Sequence, residues 1–224
     1  RDQIARRVGY MPQSHRPVFP LSVLDVILTG RAPHLGSFSS PGKKDIAIAR
    51  EALEALGLSG LSDRPYNHLS EGERQLVFLA RVLAQKPLAL FLDEPVSHLD
   101  FGNQTRFLKL VGCLAESGMA IVITSHFPDH SFLLPGKVAL MNKGVFVKIG
   151  SPEDVITEDN MREVYGINVK ILEVEAGAMR KICVPVFDAN AADDSSMLGS
   201  RKTYRETMKY LSMNGMKNKS LKLN

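Results

Sequence analysis

No run of apolar residues in this 224-residue chain approaches the roughly 20 needed to cross a bilayer, so no membrane-spanning helix is expected. The basic start, Arg1-Asp2-Gln3-Ile4-Ala5-Arg6-Arg7, has no apolar stretch behind it and does not read as a secretory signal. Cysteine is scarce: Cys113 and Cys183 are the only two, and they lack metal-ligand spacing. Buried free thiols in a reducing cytoplasm are the expectation. A spread of positive charge is also missing, although the net charge is +4. From Arg201 onward seven Lys and Arg face one acid, Glu206, which puts +6 on the tail and leaves −2 on the residues before it. The body therefore lacks the footprint of a nucleic-acid-binding surface. The tail, rich in Ser, Asn, Lys and Met without an apolar stripe, reads as a solvated, weakly ordered end. An anionic membrane surface is the alternative contact for it.

What is present is enough apolar material, 44% of the residues, for one sizeable domain with a subdomain or a tail. Gly9-Tyr10-Met11 closes a short strand, and residues 14–68 then read as mostly helical. Val23–Leu28 is a short apolar helix, Arg31–Gly42 a Gly/Pro/Ser-rich loop, and Lys43–Leu56 a helix with apolar residues at helical spacing, closed by Gly57. Glu71–Gln85 is apolar almost all round and should be buried. The period then changes. Leu88–Leu92 and Met119–Thr124 are continuous apolar runs of strand length, separated by a helix over Asn103–Glu116. Runs apolar on both faces are what a parallel sheet covered by helices requires, and strand, helix, strand predicts a βαβ unit. Lys137–Asn142 and Val145–Ile149 flank Lys143-Gly144 as a hairpin; two short helices and a strand over Val169–Val174 follow. The fold class is α/β, with a helical insert before residue 70.

Three segments carry the chemistry. The run Leu88–Leu92 ends in Asp93-Glu94-Pro95, and buried strands do not ordinarily end in adjacent acids. Ligands of parallel sheets bind beyond the carboxyl ends of the strands. Neighbouring side chains diverge, so Asp93 can hold Mg²⁺ through water while Glu94 faces an attacking water. An acidic helix cap is the plainer alternative. Second, Leu69-Ser70-Glu71-Gly72-Glu73-Arg74-Gln75 opens a buried helix. Ser70 and Glu73 make a capping box, and the same hydroxyl and free N–H groups suit a phosphate, with Gly72 permitting close approach. Third, Thr124-Ser125-His126 ends the neighbouring strand, where a histidine can reach a transferring phosphoryl group.

In this order and spacing the segments resemble the ATP-binding-cassette (ABC) ATPases, over about residues 6–184. Gln13 resembles the family's Q-loop glutamine and Leu69–Gln75 its signature. Leu88–Glu94 is similar to the Walker B strand, Ser97-His98-Leu99-Asp100 to the D-loop, and His126 to the switch histidine. A finer similarity is to the ATPases of iron-siderophore, haem and cobalamin importers. It rests on Gly30–Leu35, Ser97–Gln104, His126–His130 and Gly150-Ser151-Pro152, and molybdate and tungstate importers look alike there. Chromosome-organising relatives carry long coiled coils between Q-loop and signature, whereas Gln13 and Leu69 are 56 positions apart.

The resemblance implies a P-loop NTPase-like, mostly parallel sheet with a helical subdomain at about 14–85, a partial ATPase domain over 1–184 and a basic tail over 185–224. It implies ATP and Mg²⁺ as cofactors. Glu94, His126 and Gln13 would be catalytic, Ser70, Gly72, Glu73 and Asp100 would bind nucleotide, and Asp93 with Gln13 would attend the metal. The implied partners are a second ATPase subunit in a head-to-tail homodimer, integral-membrane permease subunits and, indirectly, a substrate-binding protein, at the cytoplasmic face of the membrane. The family's Gly-x-x-x-x-Gly-Lys-Ser/Thr phosphate loop does not occur in these residues, and Gly42-Lys43-Lys44 has neither the preceding strand nor the upstream glycine to replace it. An N-terminally truncated chain, its first βα unit missing, is the expectation, with a non-catalytic remnant as the alternative. Glu71 departs from the family's usual Gly and has to point away from a triphosphate.

Overall fold

The computed structural model describes residues 2–13, 21–36, 39–175 and 179–186. The basic tail beyond residue 186 lies outside them. The chain forms two compact units, Arg1–Pro135 and Gly136–Asn224.

The first unit is built on three parallel strands, β1 (Val8–Met11), β2 (Ala89–Leu92) and β3 (Ala120–Ile123), in the order β1-β2-β3. Register places Tyr10 beside Phe91 and Phe91 beside Val122. A short helix α1 (Asp2–Arg7), not expected from the sequence, leads into β1. Helices α2 (Val23–Leu28), α3 (Lys43–Ala55) and α4 (Glu71–Ala84) pack on one another, and α5 (Phe101–Glu116) joins β2 to β3.

Helix α4 explains its own all-round hydrophobicity, because it serves two cores. Val77, Ala80 and Ala84 join Ile27 of α2 and Leu53 of α3 in a helical core. Phe78, Leu79 and Val82 join Met11, Leu90, Leu92 and Phe107 under the sheet. Gly9 is needed at this junction: a Cβ there would meet the Val82 side chain and come within 2.8 Å of Leu90 Cδ2. Residues 29–34, expected as loop in part, form a 3-10 helix. It is pinned by Arg31, whose buried guanidinium donates to Asp45 Oδ1 at 3.0 Å and to the Ala84 carbonyl at 2.8 Å. That Arg31 bond, with the Gly42 amide, holds the Asp45 carboxyl below its usual range.

Two expectations fail. The sheet was to be covered on both faces, but Tyr10, Phe91 and Val122 are 55%, 42% and 52% exposed on one of them. The other face carries the buried Met11, Leu90 and Leu92. A continuous apolar run cannot by itself tell a two-sided from a one-sided strand. Cys113 was to be buried, yet it lies on the exposed side of α5.

In the second unit β4 (Val138–Asn142) and β5 (Val145–Gly150) form the expected hairpin. Lys143 and Gly144 both take positive φ, 48° and 81°, as a two-residue primed turn requires. Helices α6 (Pro152–Val155) and α7 (Glu158–Tyr165) start at Ser151 and Thr157 caps, and α7 ends at Gly166 in the left-handed region. Strand β6 (Val169–Glu175) pairs antiparallel with β7 (Met179–Pro185), a partner the sequence did not announce.

Candidate functional site

The carboxyl ends of β1, β2 and β3 bring Gln13, Asp93, Glu94 and His126 together. The ladder runs on past the strands: the Asp93 amide donates to the Met11 carbonyl at 2.9 Å, and the Thr124 amide to the Leu92 carbonyl at 2.9 Å. The two acids then part, as adjacent residues do. Asp93 takes the Thr124 hydroxyl on Oδ1 at 2.7 Å and the Tyr10 hydroxyl on Oδ2 at 3.3 Å. Burial, and next the Asp93 carboxylate, push the Tyr10 phenol above its usual value. Glu94 instead accepts from Gln13 Nε2 at 2.8 Å on Oε2, and His126 Nδ1 lies 3.3 Å from the same oxygen.

Glu94 reaches these partners from a left-handed backbone, φ 42°. For a residue with a Cβ that conformation costs about 1–2 kcal/mol and persists only where neighbours over-determine it. Here the Glu94 amide donates to Thr124 Oγ1 at 2.9 Å, and the Glu94 carbonyl accepts from the Ser97 hydroxyl at 3.0 Å. The next carbonyl, Pro95, accepts from Gln75 Nε2 of α4.

Ser70, Gly72 and Glu73 stand at the N-terminus of α4. The capping box is complete: Glu73 N–H donates to Ser70 Oγ at 3.3 Å, while Glu73 Oε2 accepts from the Ser70 amide and hydroxyl, each at 2.8 Å. The Ser70 amide, followed by its hydroxyl, holds the Glu73 carboxyl below the usual range. Glu71 turns to Arg74 Nη2 at 2.9 Å. Gly72 faces Asn103: a Cβ would come within 2.7 Å of its side-chain amide. Asn103 in turn donates from Nδ2 to Asp100 Oδ2 at 2.7 Å, and Asp100 Oδ1 caps α5 through the Asn103 amide at 2.9 Å. That amide bond leads the causes lowering the Asp100 pKa. So Ser70, Gly72, Glu73 and Asp100 gather around the starts of α4 and α5, and among the described residues none of them bonds to Asp93, Glu94 or His126.

His126 is the first of three neighbouring rings tilted against one another. Its ring centroid lies 4.1 Å from that of Phe127, which lies 4.9 Å from that of His130. His130 Nδ1 is 2.9 Å from Ser125 Oγ, which also accepts from the Phe127 amide at 3.1 Å. His130 is buried, and that burial, aided by His126 and opposed by Asp129, pushes its pKa down. The partnering roles of Tyr10, Gln75, Asn103 and Thr124 were not legible beforehand. Their chemistry depends on which elements meet, and no local pattern announces that.

A cation would find a plausible, incomplete set here. Among the described residues no group of three or more His, Cys, Asp or Glu could hold a metal ion. Mg²⁺, however, is commonly held by one or two carboxylates plus substrate phosphates and water. Each Asp93 oxygen keeps a lone pair beyond its one hydrogen bond, and Gln13 donates through Nε2, leaving its amide oxygen to face an ion.

A family model described as ABC transporter matches residues 1–97. The molybdate import ATP-binding protein MolC of Haemophilus influenzae is 36% identical over 164 residues, 73% of this chain, which spans only 64% of that relative's length. The hemin import ATP-binding protein HmuV of Ruegeria sp. is 34% identical over 79% of this chain and 68% of its own. Among solved structures, an inward-facing ABC transporter assigned to the metal-chelate type superposes with a TM-score of 0.77 at 33% identity, covering 81% of this chain and 73% of that one.

Proposed function

This chain belongs to the ABC transporter family, and on that premise we propose that it serves as the ATP-hydrolysing subunit of an importer for a metal chelate of the iron-siderophore, haem or cobalamin class. The observation that carries the reading is the meeting of Gln13 and His126 on one oxygen of Glu94. With Oε2 held from two sides, Oε1 is free to accept from a water and aim it. With Nδ1–H directed at Glu94, His126 would donate from Nε2 to a phosphoryl oxygen only as the doubly protonated imidazolium. Asp93, oriented by two hydroxyls, would hold Mg²⁺ with the Gln13 amide oxygen, and the ion would supply charge neutralisation to the phosphates. Ser70 and Gly72, with Glu73 fixing the turn, present a helix N-terminus to nucleotide held by a second subunit, and Asp100 lies at that dimer contact. This head-to-tail arrangement is supported by the separation of the Ser70 group from the Glu94 group in the bonding pattern.

The helical segments between Gln13 and Ser70 are the proposed contact with permease subunits, at the cytoplasmic face of the membrane. No helix among the described residues is long and apolar enough to cross it. The hemin-import and metal-chelate similarities support the cargo class, and the molybdate-import relative keeps an oxyanion as the competing cargo.

The test is Glu94→Gln in the full-length protein. ATP binding should persist while hydrolysis falls by roughly 10²–10⁴-fold, the range for a positioned acid–base group. Turnover within a few-fold of the parent would overturn the role of Glu94. A parent that neither binds nor hydrolyses ATP would make the protein a non-catalytic remnant of its family.

A further inference from the structure

We propose that Thr124 is the positioning residue of the Asp93–Glu94 pair, a strut from β3 that sets both acids with one hydroxyl. Its catalytic consequence rests on the ATPase reading above. The hydroxyl has one proton and two acceptor lone pairs. The proton goes to Asp93 Oδ1 at 2.7 Å, and one lone pair receives the Glu94 amide at 2.9 Å. Both bonds are satisfied at once, and among the described residues no other side chain bonds to both acids.

Each bond does a different thing. The one to Asp93 fixes the carboxylate's rotation, with Oδ2 turned to Tyr10. The one to the Glu94 amide fixes the peptide that precedes a left-handed residue. Were Glu94 to relax to a right-handed backbone, its side chain would swing away from Gln13 and His126. Thr124 can hold this peptide because β3 lies next to β2 in register, Leu92 opposite Ile123, so the residue after each strand stands beside its counterpart. His126 leaves the same strand end two residues later. The strand that supplies the histidine thus also fixes the glutamate it meets. Thr124 is itself exposed, so replacing its hydroxyl opens no cavity in the core.

The experiment compares Thr124→Val, which keeps the shape and removes both bonds, with Thr124→Ser, which keeps the hydroxyl. In the 224-residue chain, hydrogen exchange followed by NMR should show the Glu94 amide protected in the parent, at least about tenfold faster in T124V, and protected again in T124S. In the full-length protein, kcat for ATP should fall by roughly 10- to 100-fold in T124V with KM little changed, and T124S should recover most of it. Equal Glu94 exchange in parent and T124V overturns the strut. So does a parental kcat in T124V beside an inactive E94Q. Should E94Q itself retain the parental rate, the ATPase reading falls, and the amide measurement alone then decides whether Thr124 holds the turn.

Discussion

Replacing Ser70 by Ala and by Gly separates two jobs assigned to one hydroxyl. As a helix cap it accepts the Glu73 amide at 3.3 Å, a long bond, and donates to Glu73 Oε2 at 2.8 Å, a charge-assisted one. Both are exposed, so water replaces much of what Ala removes, and S70A should cost about 1 kcal/mol. In a protein of this size that lowers Tm by about 2–4 °C. Gly is a tolerated cap, losing only a few tenths of a kcal/mol, and the Ser70 backbone (φ −63°, ψ 161°) is open to it. Thermal stability should therefore rank Ser, Gly, Ala. The nucleotide role ranks them differently. Neither Ala nor Gly has a hydroxyl to give a phosphate, and losing a hydrogen bond to a charged group costs about 1.5–3 kcal/mol, roughly 10- to 100-fold in rate. ATPase activity of the full-length protein should fall alike in S70G and S70A. Circular-dichroism melting and steady-state hydrolysis on the three proteins make the comparison. If S70G keeps the activity of the parent while S70A loses stability, the Ser70 position caps a helix and its hydroxyl does nothing for nucleotide.

Gly72→Ala must displace the Asn103 side chain, at a cost of about 1–3 kcal/mol for an overpacked contact; adding Asn103→Ala should recover part of it, and additive losses in a urea double-mutant cycle would refute the contact. His130 should make stability fall with acid in a defined window. Its folded pKa is depressed below the ordinary value of about 6.5, so the unfolded chain binds the proton more readily and stability declines as pH drops through about 6.5. Comparing urea midpoints at about pH 7.5 and 5.5, above the carboxylate range, the parent should lose more than His130→Gln; equal losses refute the assignment. Calorimetric titration of the 224-residue chain with Mg-ATP should show no micromolar binding, because its sequence contains no glycine-rich phosphate loop. Micromolar affinity would mean that some other segment here holds phosphate.

Local signals carried most of the fold. The cap at Ser70, the stop at Gly57, the Lys143-Gly144 turn and the helical spacing of α3 are each written within a few neighbouring residues, and each forms as read. What failed depended on distant partners. The apolar runs of β2 and β3 announced strands but not how many of their faces are covered. Helix α1 and strand β7 are short segments whose conformation follows from β1 and β6 beside them. The position of Cys113 shows the same limit: its helix was foreseen, but which face of α5 meets the sheet is set by Phe107, Leu108 and Val111.

The candidate site divides along the same line. Asp93, Glu94 and His126 stand out as residue types in an unusual setting, acids and a histidine at the ends of apolar runs; Gln13 was named only by the family resemblance, and the fold brings the four together. Thr124, Tyr10 and Gln75 are ordinary residues for their positions, and they become distinctive only through register. A one-residue slip of β3 against β2 would remove the Thr124 hydroxyl from the Glu94 amide without changing a letter of either strand. Glu94 makes the point sharply. Nothing in Leu92-Asp93-Glu94-Pro95 predicts a left-handed glutamate, since the conformation is unfavourable for that residue taken alone. It is held by Thr124 from β3, by the following turn through Ser97, and by Gln75 of α4 through the next carbonyl. The acid that sequence singles out is therefore aimed by residues that sequence does not, and substitutions in those supports are the sharper probe of how the site works.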